Sequence, residues 1–563
     1  MSEAVQHETI ADLLLARVGD RHPGLRTRER TWTWDDVVRE SAARAELLAE
    51  RLDRTRPPHI GILLDNVPDF IFWTGAAALA GAAVVGINPT RRGADLEQEV
   101  RHVDCQLIVT DAAGRQLLDG LDVGVPAERF VLVDDPAYPE LIAAHAAAVP
   151  AKADGVDAST LMLLLFTSGT TGMSKAARCS QGRLARLAYA NCAKYDIDRD
   201  DVCYCCMPLF HGNALMGLWA PALSQGATIC LVPKFSASGF LPDVRHYGAT
   251  YFTYVGKAIA YILALPEGPD DRDNELDHGF GTEASPDDQA EFVRRFGCRL
   301  VEAYGSSEGT GHVTKVPDAP PGALGRPSSD DVAILDPETL RPCPPARLDE
   351  HGRLLNPDEA IGEIADRGAA ARFEGYYNND EANRERVRDG WYWSGDLGYL
   401  DEDGFIYFAG RKGDWVRVDG ENFSTLVVER ILRRHPDVLA AAAFGIADPR
   451  SGDQLMVALE VRDVDGFEIA AFAAFLAQQP DLGTKATPRF VRVSAALPTT
   501  GSNKLMKKQM QAEAWRSGDA VYAWRGRGEP DFRRMSEEDK AALEAEFFAS
   551  GRQRLLPTDP ARV

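Results

Sequence analysis

Residues 161–176, LMLLLFTSGTTGMSKA, hold the densest run of chemically useful groups in the chain. An apolar stretch delivers a loop of hydroxyls and glycines that ends in Lys175. Thr167, Ser168, Thr170 and Thr171 offer O–H donors. Gly169 and Gly172 allow tight turns whose N–H groups converge on an anion. Lys175 adds a cation, and the whole suits the oxygens of a phosphate. It is not the loop of P-loop NTPases, which needs Gly-Lys-Ser/Thr, because here Ser174 and Ala176 flank the lysine. GFGTEASP at 279–286 contains Gly-x-Gly-x-x-Ala, but DNELDH before it does not read as a strand, which disfavours a dinucleotide fingerprint. Lys504, Lys507 and Lys508 form a basic run that by itself reads as solvated surface. No Ser-His-Asp or Cys-His signature of nucleophilic catalysis is legible.

The elements that must position these groups follow an α/β order. Asp35–Leu52 mixes charged and apolar residues and reads as a helix. IGILL at 60–64, LIVT at 107–110, RFVLV at 129–133, LMLLLF at 161–166 and ATICLV at 227–232 are apolar runs bounded by Gly, Pro or Asp, as strands buried on both faces are. Phe70 to Ile87 is uncharged for 18 residues, close to the length of a membrane span. Its Ala and Gly content and the break at Gly81 predict instead a buried helix running into a buried strand. After DEDGFIYFAGR, a turn and a strand, a smaller α/β pattern begins afresh, so a boundary is expected at 410–413. Strands are expected within Asp437–Ile446, at Leu455–Val461 and at Arg489–Val493, with a helix over Phe467–Gln479. From about residue 516 the chain is polar and aromatic, with a helix capped by Ser536 and Asp539.

Bulk properties narrow the function. The 563 residues are 45% hydrophobic and 26% charged, enough for large buried cores. The net charge of -23 argues against a nucleic-acid partner. Nine cysteines do not make a disulfide framework, and Cys203, Cys205 and Cys206 read as core thiols of a buried strand. With no basic start followed by an apolar run, a reducing, cytoplasmic setting is expected.

The loop at 167–175 resembles the phosphate-loop signature of the adenylate-forming superfamily, which comprises acyl-CoA synthetases, luciferases and peptide-synthetase adenylation domains. Further motifs stand in that family's order: MPLFHGNA at 207–214, GTEASP at 281–286, YGSSEG at 304–309, GEI at 362–364, FEGYYN at 373–378, YWSGDLGYLDEDGFIYFAGR at 392–411, VDGENFS at 418–424 and TGSNK at 500–504. The resemblance covers nearly the whole chain and is strongest to the very-long-chain, fatty-acid-transport-like branch. It implies a large, multi-subdomain α/β domain at 1–411 with buried sheets between helices. A small mobile α/β domain at 412–563 then carries the catalytic lysine and ends in the extension from about 516.

The roles the resemblance implies are these. Thr167–Gly172 and Lys175 hold phosphate. Gly281, Thr282 and Glu283 line the adenine, and Tyr304 lays its ring against it. Gly305, Ser306 and Ser307 continue the nucleotide site, Ser307 standing where the family usually has Thr. Glu308, with Thr170, is implied for Mg²⁺, a cation that takes one or two carboxylates plus phosphate oxygens. Asp396 binds the ribose hydroxyls, a task suited to an acceptor-only group. Arg411 holds ribose or phosphate. His211 borders the acyl pocket and replaces the Asp with which peptide-synthetase domains pair an ammonium, which disfavours amino acids as substrates. Lys504 is the catalytic lysine by spacing from Pro498, although Asn503 departs from the family's Gly. Gly413 is the hinge, and Asp419, Gly420, Glu421 and Asn422 form the loop offered to the thiol.

The reaction implied has two halves. A carboxylate attacks the α-phosphorus of ATP and pyrophosphate leaves; the thiol of coenzyme A then attacks the acyl carbon and AMP leaves. The acid is expected to be a medium, long or very long acyl chain or a steroid side-chain acid, and YFTYVGKAIAYIL at 251–263 reads equally as its pocket or as plain core. An acyl-AMP ligase serving a carrier protein, a luciferase-like oxidation and a catalytically silent ATP-binding protein are the competing readings. Peripheral membrane contact and a homodimer stay open.

Overall fold

The computed structural model describes residues 7–167, 174–282, 284–302, 304–306, 308, 313–316, 318–320, 322–349, 354–411, 415–418, 421–449, 453–479, 482, 486–500, 504–524 and 532–557. The chain divides into two compact units, Met1–Thr310 with Arg372–Glu385, and Gly311–Ala371 with Arg386–Val563. The expected boundary at 411 falls inside the second unit.

Two largely parallel sheets organise the first unit. One has the order Phe130–Leu132, Leu107–Thr110, His59–Leu63, Ala83–Gly86, Leu161–Thr167 and Lys175–Ser180. The other runs Arg299–Glu302, His278–Thr282, Tyr251–Val255, Val202–Cys205, Thr228–Leu231, Pro23–Arg26 and Thr31–Thr33. Their strands are the apolar runs of the sequence, because parallel strands covered on both faces have no polar side. All five residues of His59–Leu63 are buried. Only the ends of the sheets turn antiparallel, and one such end is the hairpin from Leu161–Thr167 to Lys175–Ser180 that brackets the hydroxyl loop.

The uncharged stretch behaves as expected. Pro68–Ala80 is a helix with proline in its first turn, buried from Phe70 to Leu79. Gly81 ends it at φ 71°, a left-handed cap that suits a residue without Cβ, and Ala83–Gly86 follows as a buried strand. Among the described residues no helix is long and apolar enough to cross a membrane. The 34–51 helix begins one residue before expectation, where Thr33 and Asp36 form a reciprocal cap. The three clustered cysteines are buried, none of the nine forms a disulfide, and burial pushes the Cys205 thiol up to about 12. Such thiols are inert core atoms.

The second unit holds an antiparallel sheet ordered Val313–Thr314, Ala323–Pro327, Ile406–Arg411, Trp391–Leu400, Gly362–Asp366 and Val332–Leu335, with Val387–Arg388 paired to Trp391–Leu400. Trp415–Val418 and Glu421–Ser424 make a short hairpin. A further sheet runs Val438–Ala447, Asp453–Val461, Phe490–Ser494, Ala520–Trp524 and Phe532–Arg534. The expected helix narrows to Ile469–Ala477, with Phe472 and Leu476 buried against this sheet. The C-terminal extension differs from the sequence reading in one respect: it supplies two strands to that sheet. Its helix, Glu537–Ala549, carries the expected Ser536–Asp539 cap and packs Phe547 5.7 Å from Trp515.

Candidate active site

The register Thr167↔Lys175 sets both ends of the hydroxyl loop opposite each other, and the Thr167 hydroxyl donates to the Lys175 carbonyl at 3.4 Å. Ser174, beside the lysine, is anchored from outside. Arg91 Nη2 donates to its Oγ at 2.9 Å while Arg91 Nε pairs with buried Glu99 at 3.2 Å. Burial holds the Glu99 carboxyl above the usual glutamate range despite that guanidinium. Lys175 is itself 8% exposed. Its Nζ lies 3.7 Å from Glu385 Oε2 and 5.4 Å from the centroid of Tyr376.

Tyr376 comes from FEGYYN, a segment that packs along the strand after the loop. Arg178 N donates to Gly375 O, Tyr377 N donates to Ala176 O, and Ala177 bridges Tyr376. Glu374 accepts from Ser180 N and Oγ, both at 2.6 Å, and so orders the residue that caps helix Gln181–Tyr195. The Tyr376 phenol donates to Glu308 Oε1 at 2.7 Å, and Glu308 is 6% exposed. The sequence-predicted Lys175 and Glu308 are thereby brought to two sides of one ring.

Gly281 and Thr282 end strand His278–Thr282. A Cβ on Gly281 would sit 2.5 Å from the Tyr254 ring, so the strand approaches its neighbour as only glycine allows. The Tyr254 hydroxyl donates to Glu302 Oε1 at 2.9 Å, and Ala284 N donates to the same oxygen at 3.1 Å. Glu302 thus ties the 281–284 segment to the strand that leads into Tyr304, Gly305 and Ser306. Gly305 stands beside open space.

His211 caps the short helix Gly212–Ala214, its ring 5.7 Å from Phe210. The helix widens into a single π turn over Leu215–Trp219, a distortion found often at functional sites. Side chains satisfy the loosened carbonyls: Asn191 Nδ2 donates to Met216 O at 2.9 Å and the Tyr251 hydroxyl to Gly217 O at 2.7 Å. Tyr251–Val255 is wholly buried and therefore core, while Gly256–Leu263 buries Gly256, Ala258, Ile259 and Ile262.

In the second unit, Asp396 lies on Trp391–Leu400 in register with Arg411 and is 8% exposed. Glu363, from GEI, accepts from Gly395 N at 2.7 Å, and Ser394 Oγ accepts from Asp396 N at 3.1 Å. Gly395 adopts φ 76°, and a Cβ there would meet Arg386 Nη1 at 2.7 Å. Lys504 sits where Thr499 bridges Leu505. Thr500 N donates to Lys504 O at 2.7 Å, and Lys504 N donates to Thr500 Oγ1 at 3.1 Å. Lys507 is committed elsewhere, 2.8 Å from Glu429 Oε1. Ser168, Gly169, Thr170, Thr171, Gly172, Glu283, Ser307, Gly413, Asp419 and Gly420 lie outside the described residues, as do the side chains of Arg411, Glu421 and Asn422.

Sequence reasoning had no role for Tyr376, Glu374 or Glu363, although all three stand in the quoted motifs, and it passed over Glu302. The signal available was the motif itself; the partner of each lies too far along the chain for spacing to reveal.

A model described as AMP-binding enzyme matches residues 15–377, and its C-terminal-domain counterpart matches 427–504. The chain is 66% identical over 552 residues to a steroid-22-oyl-CoA synthetase of Rhodococcus jostii (strain RHA1), covering 98% of this chain and 99% of that protein. It is 43% identical over 516 residues to a medium/long-chain-fatty-acid–CoA ligase, FadD17, of Mycobacterium marinum (strain ATCC BAA-535 / M), covering 91% and 98%. In fold it is similar to an anthranilate CoA ligase, AuaEII, solved with anthranoyl-AMP, at a TM-score of 0.79 and 19% identity over 91% of this chain and 98% of that one.

Proposed function

The chain belongs to the AMP-binding, adenylate-forming enzymes, and on that premise we propose that its acid is the carboxylated side chain of a steroid. It is an AMP-forming acid–thiol ligase, which makes an acyl-adenylate from ATP and transfers the acyl group to coenzyme A. The observation that carries the steroid assignment is the 66% identity, sustained over 98% of the chain, to a protein named for a steroid-22-oyl substrate.

The residues divide the work as follows. Lys175 and the hydroxyl loop meet the phosphates, and Gly281, Thr282 and Tyr304 receive the base. Asp396 accepts the ribose hydroxyls, and His211 borders the acid. A buried carboxylate whose second oxygen is not taken by Tyr376 fits a cation that also binds phosphate, and Glu308 would hold Mg²⁺ there to offset charge as pyrophosphate leaves. Lys504 supplies the positive end in adenylation, a reading supported by the engagement of Lys507 with Glu429. The reading includes rotation of residues 412–563 about Gly413 between the two halves, so that the 419–422 loop replaces Lys504 at the site. It also includes a cytoplasmic setting, supported by nine cysteines outside disulfides, and membrane contact, supported only by the lipophilicity of a steroid acid.

The test is thioester formation with a panel of acids, each with and without coenzyme A. C22 steroid acids should give the highest kcat/KM. A higher value with medium- or long-chain fatty acids would reassign the substrate to the class named for the 43% relatives.

A further inference from the structure

We infer that Tyr376 is a positioning residue for adenylation, fixing Glu308 through its hydroxyl and Lys175 through the face of its ring. The inference deepens the reading of Glu308 as the metal carboxylate and rests on it. Three observations carry it. Tyr376 is 2% exposed, so neither end of its side chain is shared freely with water. Its hydroxyl donates to Glu308 Oε1 at 2.7 Å, which fixes the carboxylate through one of its two oxygens. Its ring centroid lies 5.4 Å from Lys175 Nζ, within the range at which an aromatic face attracts an ammonium. One rigid side chain with two rotatable bonds therefore sets the distance between a cation and a carboxylate that are 133 residues apart in sequence.

The backbone around it is built to hold that position. Residues 375–377 pair with 176–178 through Arg178 N to Gly375 O and Tyr377 N to Ala176 O. Asn383 closes the next turn: its Oδ1 accepts from Tyr376 N at 2.6 Å and its Nδ2 donates to Tyr376 O at 3.1 Å. The strand that begins at Lys175 and the segment that carries Tyr376 thus form one ladder. A phosphate–magnesium unit needs a carboxylate and an ammonium at a set separation, because misplacement weakens both contacts together.

The test measures equilibrium ATP binding by calorimetry, in EDTA and in a magnesium titration, so that no turnover is needed. Tyr376→Phe keeps the ring and should leave metal-free ATP affinity within about twofold of the parent. The same variant should weaken the magnesium-dependent gain in ATP affinity roughly tenfold, the size of one hydrogen bond to a buried charge. Glu308→Asp, which retracts the carboxylate from the phenol by one methylene, is the second arm and should show a loss of the same order. Glu308→Gln should abolish the gain, and adding Tyr376→Phe to it should make nothing worse. A parental magnesium response in Tyr376→Phe, beside its loss in Glu308→Gln, overturns the inference alone. A parental response in Glu308→Gln overturns the metal reading and the inference with it, while the steroid assignment stands on the separate thioester assay.

Discussion

Lys175 and Lys504 each follow a loop and each is proposed here to meet phosphate, yet their surroundings differ. Lys175 begins the terminal strand of its sheet, is 8% exposed and lies against a buried aromatic ring and a carboxylate. Lys504 is half-buried on a turn whose main chain closes on Thr500. A group needed in both half-reactions gains from being fixed, since preorganised charge costs no rearrangement when the reaction occurs. A group needed in one half gains from being carried on an element that can be presented and withdrawn.

The strongest test of the fixed side is Glu308→Gln. Adenylation, read as pyrophosphate release, should fall about 10³-fold with an unchanged melting temperature, because charge is lost where pyrophosphate departs. Near-parental turnover at low magnesium would break the comparison at its first member. Lys504→Ala should lose adenylation about 10²-fold, yet form thioester from pre-made acyl-adenylate and coenzyme A at close to the parental rate. Equal loss in both single-turnover assays would make the two lysines alike.

A smaller effect is expected at the brace. Glu374→Ala removes two hydrogen bonds at the cap of helix Gln181–Tyr195 and should cost about 2 kcal/mol in a denaturant melt. On the other side of the comparison, Gly395→Ala forces a side chain into φ 76° and into Arg386, and should cost about 1–2 kcal/mol. It should weaken AMP binding as well by moving Asp396; a variant that melts early and binds AMP normally would separate the strand from the site.

The smallest effect tests pH rather than position. The guanidinium of Arg199, with the His22 N–H, draws the Asp20 carboxyl down to about 2. Its folded value is thus below its unfolded one, so the stability it adds is fully present above about 3.8, the usual aspartate value, and is lost as pH falls toward 2. With solvent screening of this surface pair, Asp20→Asn should cost about 0.5 kcal/mol at neutral pH and almost nothing near pH 2. Unfolding midpoints at the two pH values measure it.

The buried strands were legible because parallel strands leave a continuous apolar run, as in His59–Leu63 and Leu107–Thr110. Gly81 was legible as a break because a left-handed cap favours glycine. The motif residues were legible as a set. What joins them was not: Tyr376 meets Glu308 across 68 residues, and Glu302 meets Tyr254 across 48. No local period encodes a contact made by sheet order. Ala520–Trp524 and Phe532–Arg534 escaped notice for another reason. They are short and half exposed, and pair at the margin of a sheet, where polar residues are tolerated.

Those two strands decide where the protein can be cut. The family match for the C-terminal domain ends at residue 504, which invites truncation shortly after it. In the intact chain the outer side of Phe490–Ser494, all five residues buried, is closed by Ala520–Trp524. A chain ending before residue 520 would offer that buried strand's unpaired backbone edge as an open template for its own copies. Such a truncation is therefore a route to insoluble protein rather than to a minimal enzyme.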